Sequence, residues 1–161
     1  MIDVARDLQV TFREAQRDDL PAIVALLADD PLGSARETLG DELPAAYGKA
    51  FEAIAASPDN KLVVAVVDGH IAGTLQLTYI PGLTYTGGES AQIEAVRVSS
   101  DLRGHGVGQA LVGWVIGQAR TRGCRVVQLT TDRQRPDAIR FYQKMGFRPS
   151  HMGMKYHLSD R

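Results

Sequence analysis

The chain has 161 residues and a mass of 17.5 kDa, which suits one domain with a single hydrophobic core. Its 44% hydrophobic and 23% charged residues exclude the disordered and fibrous classes of protein. A formal net charge of -1 argues against a nucleic-acid partner. Because no long apolar run is present, we expect a cytoplasmic protein without a membrane partner.

The first part of the chain predicts a strand and two helices. Residues 1–9 form a polar leader, and the predicted domain covers residues 10–161. Val10–Arg13 alternates as a strand does, and the apolar residues of segment 20–27 recur at helical spacing. This first helix should end near Asp29-Asp30-Pro31, and a second helix is predicted within residues 43–56.

A β-hairpin follows directly. Lys61–Val67 is rich in valine, Asp68-Gly69 is a typical two-residue turn, and Ile71–Ile80 returns as the antiparallel partner. The remaining predicted elements are an irregular loop at 81–90, a strand at 93–98, a long helix at 106–121 capped by Gly123, a strand at 126–131, a helix from Pro136 to Gly146, and a final strand pair around 147–158.

The segment Arg103–Gly108 lies between the strand at 93–98 and the long helix. A strand, a glycine-rich turn and a helix N-terminus expose backbone N–H groups toward one point, which favours an anion such as a phosphate. Gln109-Ala110 stands where a Walker loop needs lysine and serine or threonine, and a dinucleotide fingerprint would need a third glycine at Gln109. Neither of these phosphate motifs is present.

Two motifs in register resemble the GNAT superfamily of acyl-CoA-dependent N-acyltransferases. Arg103, Gly106 and Gly108 fill its glycine-loop signature, and Ala138-Ile139 with Tyr142 and Gly146-Phe147 resembles its next helix and strand. The resemblance covers Val10–Leu158. It implies one α/β (α+β) domain whose central, mostly antiparallel mixed sheet has helices on both faces and a splayed strand pair that holds the cofactor.

The resemblance also implies a set of cofactor-binding residues. Acetyl-CoA is the expected acyl donor, with its pyrophosphate on the glycine loop and its pantetheine arm paired with the strand before it. The implied residues are Val96, Arg97, Val98, Arg103, Gly104, His105, Gly106, Val107, Gly108 and Gln109. Many relatives have asparagine where this chain has Arg135, so the cofactor contact expected there is in doubt.

Glu94 and Tyr142 are the candidate catalytic residues. Tyr142 resembles the family tyrosine that protonates the departing thiolate, although a core aromatic on an amphipathic helix is the alternative. Glu94 resembles the glutamate that some relatives use as a general base, and partial burial would raise its pKa and favour proton removal. The alternative is a strand residue that faces solvent or forms an ion pair. We expect acetyl transfer to a primary amine, and a non-catalytic acyl-CoA-binding regulatory module is the competing hypothesis.

Other residues favour structural interpretations. Cys124 is the only cysteine, and His151 and His157 lack a third ligand, so no metal site is expected. Met152 and Met154 alternate like packed strand residues. The acidic residues Glu37, Asp41 and Glu42 hint at a cationic acceptor or form a solvated helix face. A homodimer is typical of the family.

Overall fold

A computed structural model describes residues 8–159, and its centre is a five-stranded sheet. The first three neighbouring strand pairs are antiparallel and the fourth pair is parallel. In sheet order the strands are β1 (Val10–Glu14), β2 (Asn60–Val67), β3 (His70–Ile80), β4 (Ser90–Val98) and β5 (Val126–Leu129). The predicted mostly antiparallel mixed sheet is confirmed, whereas most of the predicted leader lies outside the described residues.

The hairpin between β2 and β3 has the predicted turn. Asp68 and Gly69 have φ angles of 49° and 77°, the left-handed conformations that a two-residue turn of this kind requires. Val67 and His70 pair directly on either side of it. Asp68 and Gly69 therefore account for the antiparallel pairing of β2 with β3.

Six α-helical segments flank the sheet within residues 8–159. They are α1 (Leu20–Ala28), α2 (Pro31–Ser34), α3 (Ala45–Ala56), α4 (Thr84–Gly87), α5 (Val107–Arg122) and α6 (Pro136–Lys144). The short α2 was not predicted. The single turn α4 contains Tyr85 and Thr86 at φ 53° and 60°, so this loop is irregular, as predicted. Across the described residues, no helix combines the length and apolar character needed to cross a membrane.

Helices cover both faces of the sheet. Val63, Val64 and Ala65 are consecutive strand residues with 0% exposure, and consecutive side chains point to opposite faces. Val63 and Ala65 belong to the main core cluster with Leu111 of α5, while α1 and α3 cover the other face. Trp114 stacks on Phe12, with ring centroids 5.6 Å apart, and belongs to this core.

The predicted final strand pair is wrong. After α6, residues 148–159 form neither helix nor strand, and Met152 and Met154 are 73% and 89% exposed rather than packed. Alternating apolar residues specify which side chains share a face of a strand, but a strand forms only where a second strand pairs with its backbone groups. Within the described residues, no strand pairs with this segment.

Asp19 holds the start of α1 against β1. Its carboxylate accepts hydrogen bonds from the Arg13 guanidinium at 2.6 and 3.0 Å and from the Gln16 backbone N–H at 2.7 Å. The hydrogen bond from Arg13 lowers the pKa of Asp19 despite the opposing effect of burial. The Asp19 side chain is 11% exposed and that of Arg13 is 41% exposed, so solvent weakens the ion pair.

We expect Asp19→Asn to lower the free energy of unfolding by about 1 to 2 kcal/mol near pH 7. A depressed folded-state pKa stabilises the protein above the unfolded pKa near 3.9, and this contribution is lost as pH falls through the folded pKa. The difference from wild type should therefore shrink below about pH 4. Urea unfolding at neutral and at acidic pH measures this difference in the free energy of unfolding, and Asp18→Asn, at an exposed position, is the control. An equal difference at the two pH values would contradict the ionic explanation.

Candidate functional site

The two strands β4 and β5 separate halfway along β4. They pair in parallel only from Ser90 to Ile93, opposite Val126–Leu129, where β5 ends. On its other edge β4 stays paired with β3 as far as Val98. Among the described residues no strand covers the β5-facing edge of β4 from Glu94 to Val98. The predicted splayed strand pair is therefore confirmed, and its opening exposes backbone groups of β4.

A β-bulge lies at the point of separation. Gln76 pairs with Glu94 and Thr74 with Arg97, so Ala95 and Val96 together oppose the single residue between them on β3. Ala95 has φ 52°, a left-handed conformation that costs an L-residue about 1 to 2 kcal/mol. Strain of this kind persists where the surrounding structure imposes it, commonly at functional sites.

The glycine loop leads into α5 beside this opening. Gly104 and Gly106 have φ angles of 80° and 86°, and Gly106 is the N-cap of α5 without any side-chain cap. The N–H groups of the first helical turn have no acceptor within the helix, and the helix dipole adds positive potential there. A Cβ on Gly108 would lie 3.4 Å from Val98 and 3.5 Å from Phe141, so the helix start packs closely between β4 and α6. This arrangement can hold an anion.

Arg103 and His105 make contacts that the sequence did not indicate. The Arg103 guanidinium donates to the Asp29 backbone carbonyl at 2.6 Å and to the Val98 carbonyl at 3.3 Å. His105 Nδ1 lies 3.0 Å from the Arg103 carbonyl oxygen. Arg103 therefore ties the glycine loop to the end of α1, in addition to any contact with a phosphate.

Tyr142 lies on α6 in an aromatic cluster. Its ring makes edge contacts with Phe141 at 5.1 Å and with Phe147 at 5.6 Å between centroids. Gly146, at φ 95°, ends the helix and lets the Phe147 N–H donate to the Tyr142 carbonyl at 3.0 Å. Burial raises the pKa of the Tyr142 phenol, and the charges of Arg97 and Arg135 partly oppose the rise.

Glu94 is exposed, so the partial burial expected for a general base is absent. Its partner on β3, Gln76, and its neighbour Ala95 line a cavity of about 130 Å³ whose other walls come mainly from α1 and α3. A larger opening of about 270 Å³ lies between Arg17 and α3, and none of the predicted site residues lines it. The smaller cavity therefore lies beside the bulge.

A cluster of Asp30, Arg97 and Arg135 was missed by sequence reasoning. Arg135 donates to both carboxylate oxygens of Asp30 at 2.6 and 3.2 Å, and Arg97 Nε lies 3.4 Å from the same carboxylate. Burial would raise the pKa of Asp30, but Arg135, the Gly33 N–H and Arg97 outweigh it and lower the pKa. Arg97 was predicted only as a cofactor-binding residue of β4, and no local pattern indicated its contact with Asp30.

Cys124 fits a structural role. Burial and the neighbouring Glu89 raise the pKa of the Cys124 thiol, which keeps it protonated and weakly nucleophilic. Among the described residues, no group of three or more histidine, cysteine or acidic side chains is arranged to hold a metal ion.

Comparison with known proteins identifies the family. A profile of the Acetyltransferase (GNAT) family matches residues 10–147. The aminoalkylphosphonate N-acetyltransferase of Salmonella typhimurium is 27% identical over 141 residues, covering 87% of this chain and 86% of the relative.

Two solved structures are similar over nearly the whole chain. One, described as a transcriptional regulator from Bacillus halodurans, is 49% identical with a TM-score of 0.90 and covers 93% of this chain and 100% of its own. A putative acetyltransferase from Agrobacterium tumefaciens is 28% identical with a TM-score of 0.80, covering 91% and 99%. With its splayed strands, its glycine loop and a family match over most of its length, the chain belongs to the Acetyltransferase (GNAT) family.

Proposed function

We propose that this protein is an N-acetyltransferase that moves an acetyl group from acetyl-CoA to a primary amine of a small molecule or peptide in a ternary complex. The observation that carries the proposal is the meeting of the uncovered β4 edge with the uncapped N-terminus of α5, against Phe141, the residue before Tyr142. Backbone groups of Val96–Val98 would hold the pantetheine arm, and residues 103–109 would hold the pyrophosphate.

Acetyl-CoA supplies the acetyl thioester, and the protein must manage two protons. An alkylammonium has no lone pair, so Glu94 removes a proton from the acceptor directly or through one water. The amine nitrogen then bonds to the thioester carbonyl carbon, which the backbone N–H at Val96 polarises, and the carbon–sulfur bond breaks. Tyr142 donates its phenolic proton to the departing thiolate, the new amide nitrogen loses its second proton to solvent, and solvent returns a proton to the Tyr142 phenolate. The close approach of the two bound substrates supplies much of the remaining acceleration.

Release of free CoA thiol tests this function. Purified protein is incubated with acetyl-CoA and a panel of primary amines, and the acetylated product is identified by mass spectrometry. We expect amine-dependent thiol release with at least one acceptor. Thiol release that is independent of every amine would indicate hydrolysis, and tight acetyl-CoA binding without any transfer would favour the regulatory alternative.

Glu94→Gln is expected to lower kcat by about tenfold, less than the range for a buried base, because water reaches this exposed side chain and can take the proton instead. Acetyl-CoA affinity should stay unchanged, since the substitution leaves the β4 backbone intact. Steady-state kinetics across pH and calorimetric titration with acetyl-CoA measure the two quantities. A wild-type pH profile in the variant would remove Glu94 as the base.

A second candidate is a non-catalytic acyl-CoA-binding module that regulates a partner. The description of the Bacillus halodurans structure as a transcriptional regulator favours it, because that chain is 49% identical to this one. In such a module Glu94 and Tyr142 would serve only packing and solubility. Turnover separates the two functions. The homodimer and the cytoplasmic location stay predictions from the sequence.

A further inference from the structure

Two arginines share one carboxylate beside the candidate site. Arg135 makes two hydrogen bonds with Asp30, one to each carboxylate oxygen, and the Gly33 N–H adds a third at 2.6 Å. Arg97 has only the longer 3.4 Å contact with this group. The cluster of Asp30, Arg97 and Arg135 therefore carries one more positive than negative charge.

Arg97 makes the fewest side-chain hydrogen bonds of the three cluster residues within residues 8–159. Its side chain is only 14% exposed, and its Nη1 donates to the carbonyl of the adjacent Val96 at 2.8 Å. Its Nε is buried and makes no hydrogen bond within the described residues. Burial, Arg135 and Arg36 together lower the pKa of Arg97 more than Asp30 raises it. A buried guanidinium in this state is stabilised by binding a further anion.

The position of Arg97 relates such an anion to the proposed reaction. It directly follows Val96 on the uncovered part of β4 and is three residues beyond Glu94. Its charge and that of Arg135 also act on the Tyr142 phenol. An anion bound to Arg97 would therefore lie close to Glu94 and to the Tyr142 phenol.

We propose that the acceptor is a primary amine that also carries an anionic group, such as a phosphonate, phosphate or carboxylate, and that Arg97 binds this group with the support of Arg135. The inference rests on the proposed function and specifies its substrate class. It replaces the prediction that acidic residues bind a cationic acceptor. The Glu37 carboxylate already has a partner within the protein, because it accepts a hydrogen bond from the Tyr47 hydroxyl at 2.7 Å. Asp41 and Glu42 are exposed.

The test compares small amines that differ in their second group. The probes are 2-aminoethylphosphonate, β-alanine, ethanolamine and 1,4-diaminobutane, assayed with acetyl-CoA against wild type, Arg97→Met and Arg97→Lys. Arg97→Met leaves Asp30 paired with Arg135, so the cluster stays electrically balanced. Arg120→Met, an exposed change near the far end of α5, is the matched control for loss of one positive charge.

We expect the anionic amines to exceed ethanolamine in kcat/KM by about 10- to 100-fold, the effect of a charge-assisted hydrogen bond. Arg97→Met should abolish this preference through KM for the acceptor, with KM for acetyl-CoA unchanged. Arg97→Lys should retain part of it, and Arg120→Met all of it. The phosphonate and carboxylate arms show which anion is preferred.

Three results would overturn the inference. One is equal kcat/KM for anionic and neutral amines in wild type. Another is a rise in KM for acetyl-CoA in Arg97→Met, which would assign Arg97 to the cofactor. If no probe is acetylated, the result counts against the proposed function, and thermal shifts of the CoA-saturated protein then test the anion site by themselves. Stabilisation by 2-aminoethylphosphonate that is lost in Arg97→Met supports the anion site. The third contradicting result is that 2-aminoethylphosphonate gives no stabilisation of wild type.

Discussion

Replacing Tyr142 by phenylalanine is expected to lower kcat by about 100- to 1000-fold, the usual contribution of a positioned general acid. The ring contacts with Phe141 and Phe147 involve the aromatic faces and edges, which phenylalanine keeps. Acetyl-CoA affinity and the free energy of unfolding should therefore change little. Steady-state kinetics with a saturating acceptor, together with calorimetric titration of acetyl-CoA, measure both effects.

The pH dependence makes the Tyr142 prediction more specific. A general acid works only while it is protonated, and burial raises the pKa of this phenol above its ordinary value near 10. Wild-type kcat should therefore be unaffected by this group through neutral pH and fall as pH rises through the raised pKa. Tyr142→Phe should lack that alkaline fall.

Tyr79→Phe is the matched control for the loss of a buried phenol. Tyr79 is 4% exposed and burial raises its pKa too, but it pairs with Ala91, where β4 and β5 are still joined. Its substitution should leave kcat unchanged. Wild-type turnover in Tyr142→Phe would mean that Tyr142 is a core aromatic and that solvent protonates the thiolate.

Sequence reasoning correctly predicted the parts of the fold that depend on residues close to one another in the sequence. The Asp68-Gly69 turn requires two left-handed residues, and Gly106 and Gly123 mark the two ends of α5 with φ angles of 86° and 85°. Each of these features depends on conformational preferences within a few positions of the chain. The antiparallel hairpin and the glycine loop could therefore be located before any tertiary contact was known.

The failed prediction depends on partners that are distant in the sequence. Met152, Met154 and Tyr156 alternate as strand residues do, yet each is at least 73% exposed. The period-two pattern is a property of the segment itself, whereas strand formation depends on a neighbouring edge. Sequence alternation alone could not reveal that no such edge accepts this segment within the described residues.

The same limit applies to the site. Arg135 and Asp30 are 105 positions apart, and Arg103 and Asp29 are 74 positions apart. No local pattern indicates either pair, because only the tertiary fold brings the corner between α1 and α2 to the glycine loop and the start of α6. The resemblance to the family directed attention to Arg135 as a departure from asparagine, but its partner became visible only in three dimensions.

Gly106→Glu is expected to abolish the stabilisation that acetyl-CoA gives wild type. A ligand at 100 times its dissociation constant adds about 2.7 kcal/mol, which corresponds to roughly 5 to 11 °C for a chain of this length. The new carboxylate would lie at the N-cap of α5, where the pyrophosphate is expected. It would occupy the space of the pyrophosphate and repel its negative charge. Thermal unfolding with and without acetyl-CoA measures the shift.

Gly123→Glu separates this electrostatic effect from backbone strain. Gly123 caps the other end of α5 with nearly the same φ, and a Cβ at either glycine would meet nothing within 4 Å. Both variants should therefore lose comparable stability from the left-handed conformation, about 1 to 2 kcal/mol. Only Gly123→Glu should keep the full acetyl-CoA shift. If both variants keep it, the pyrophosphate does not bind at the α5 N-terminus, and the proposed site on the uncovered β4 edge loses its main support.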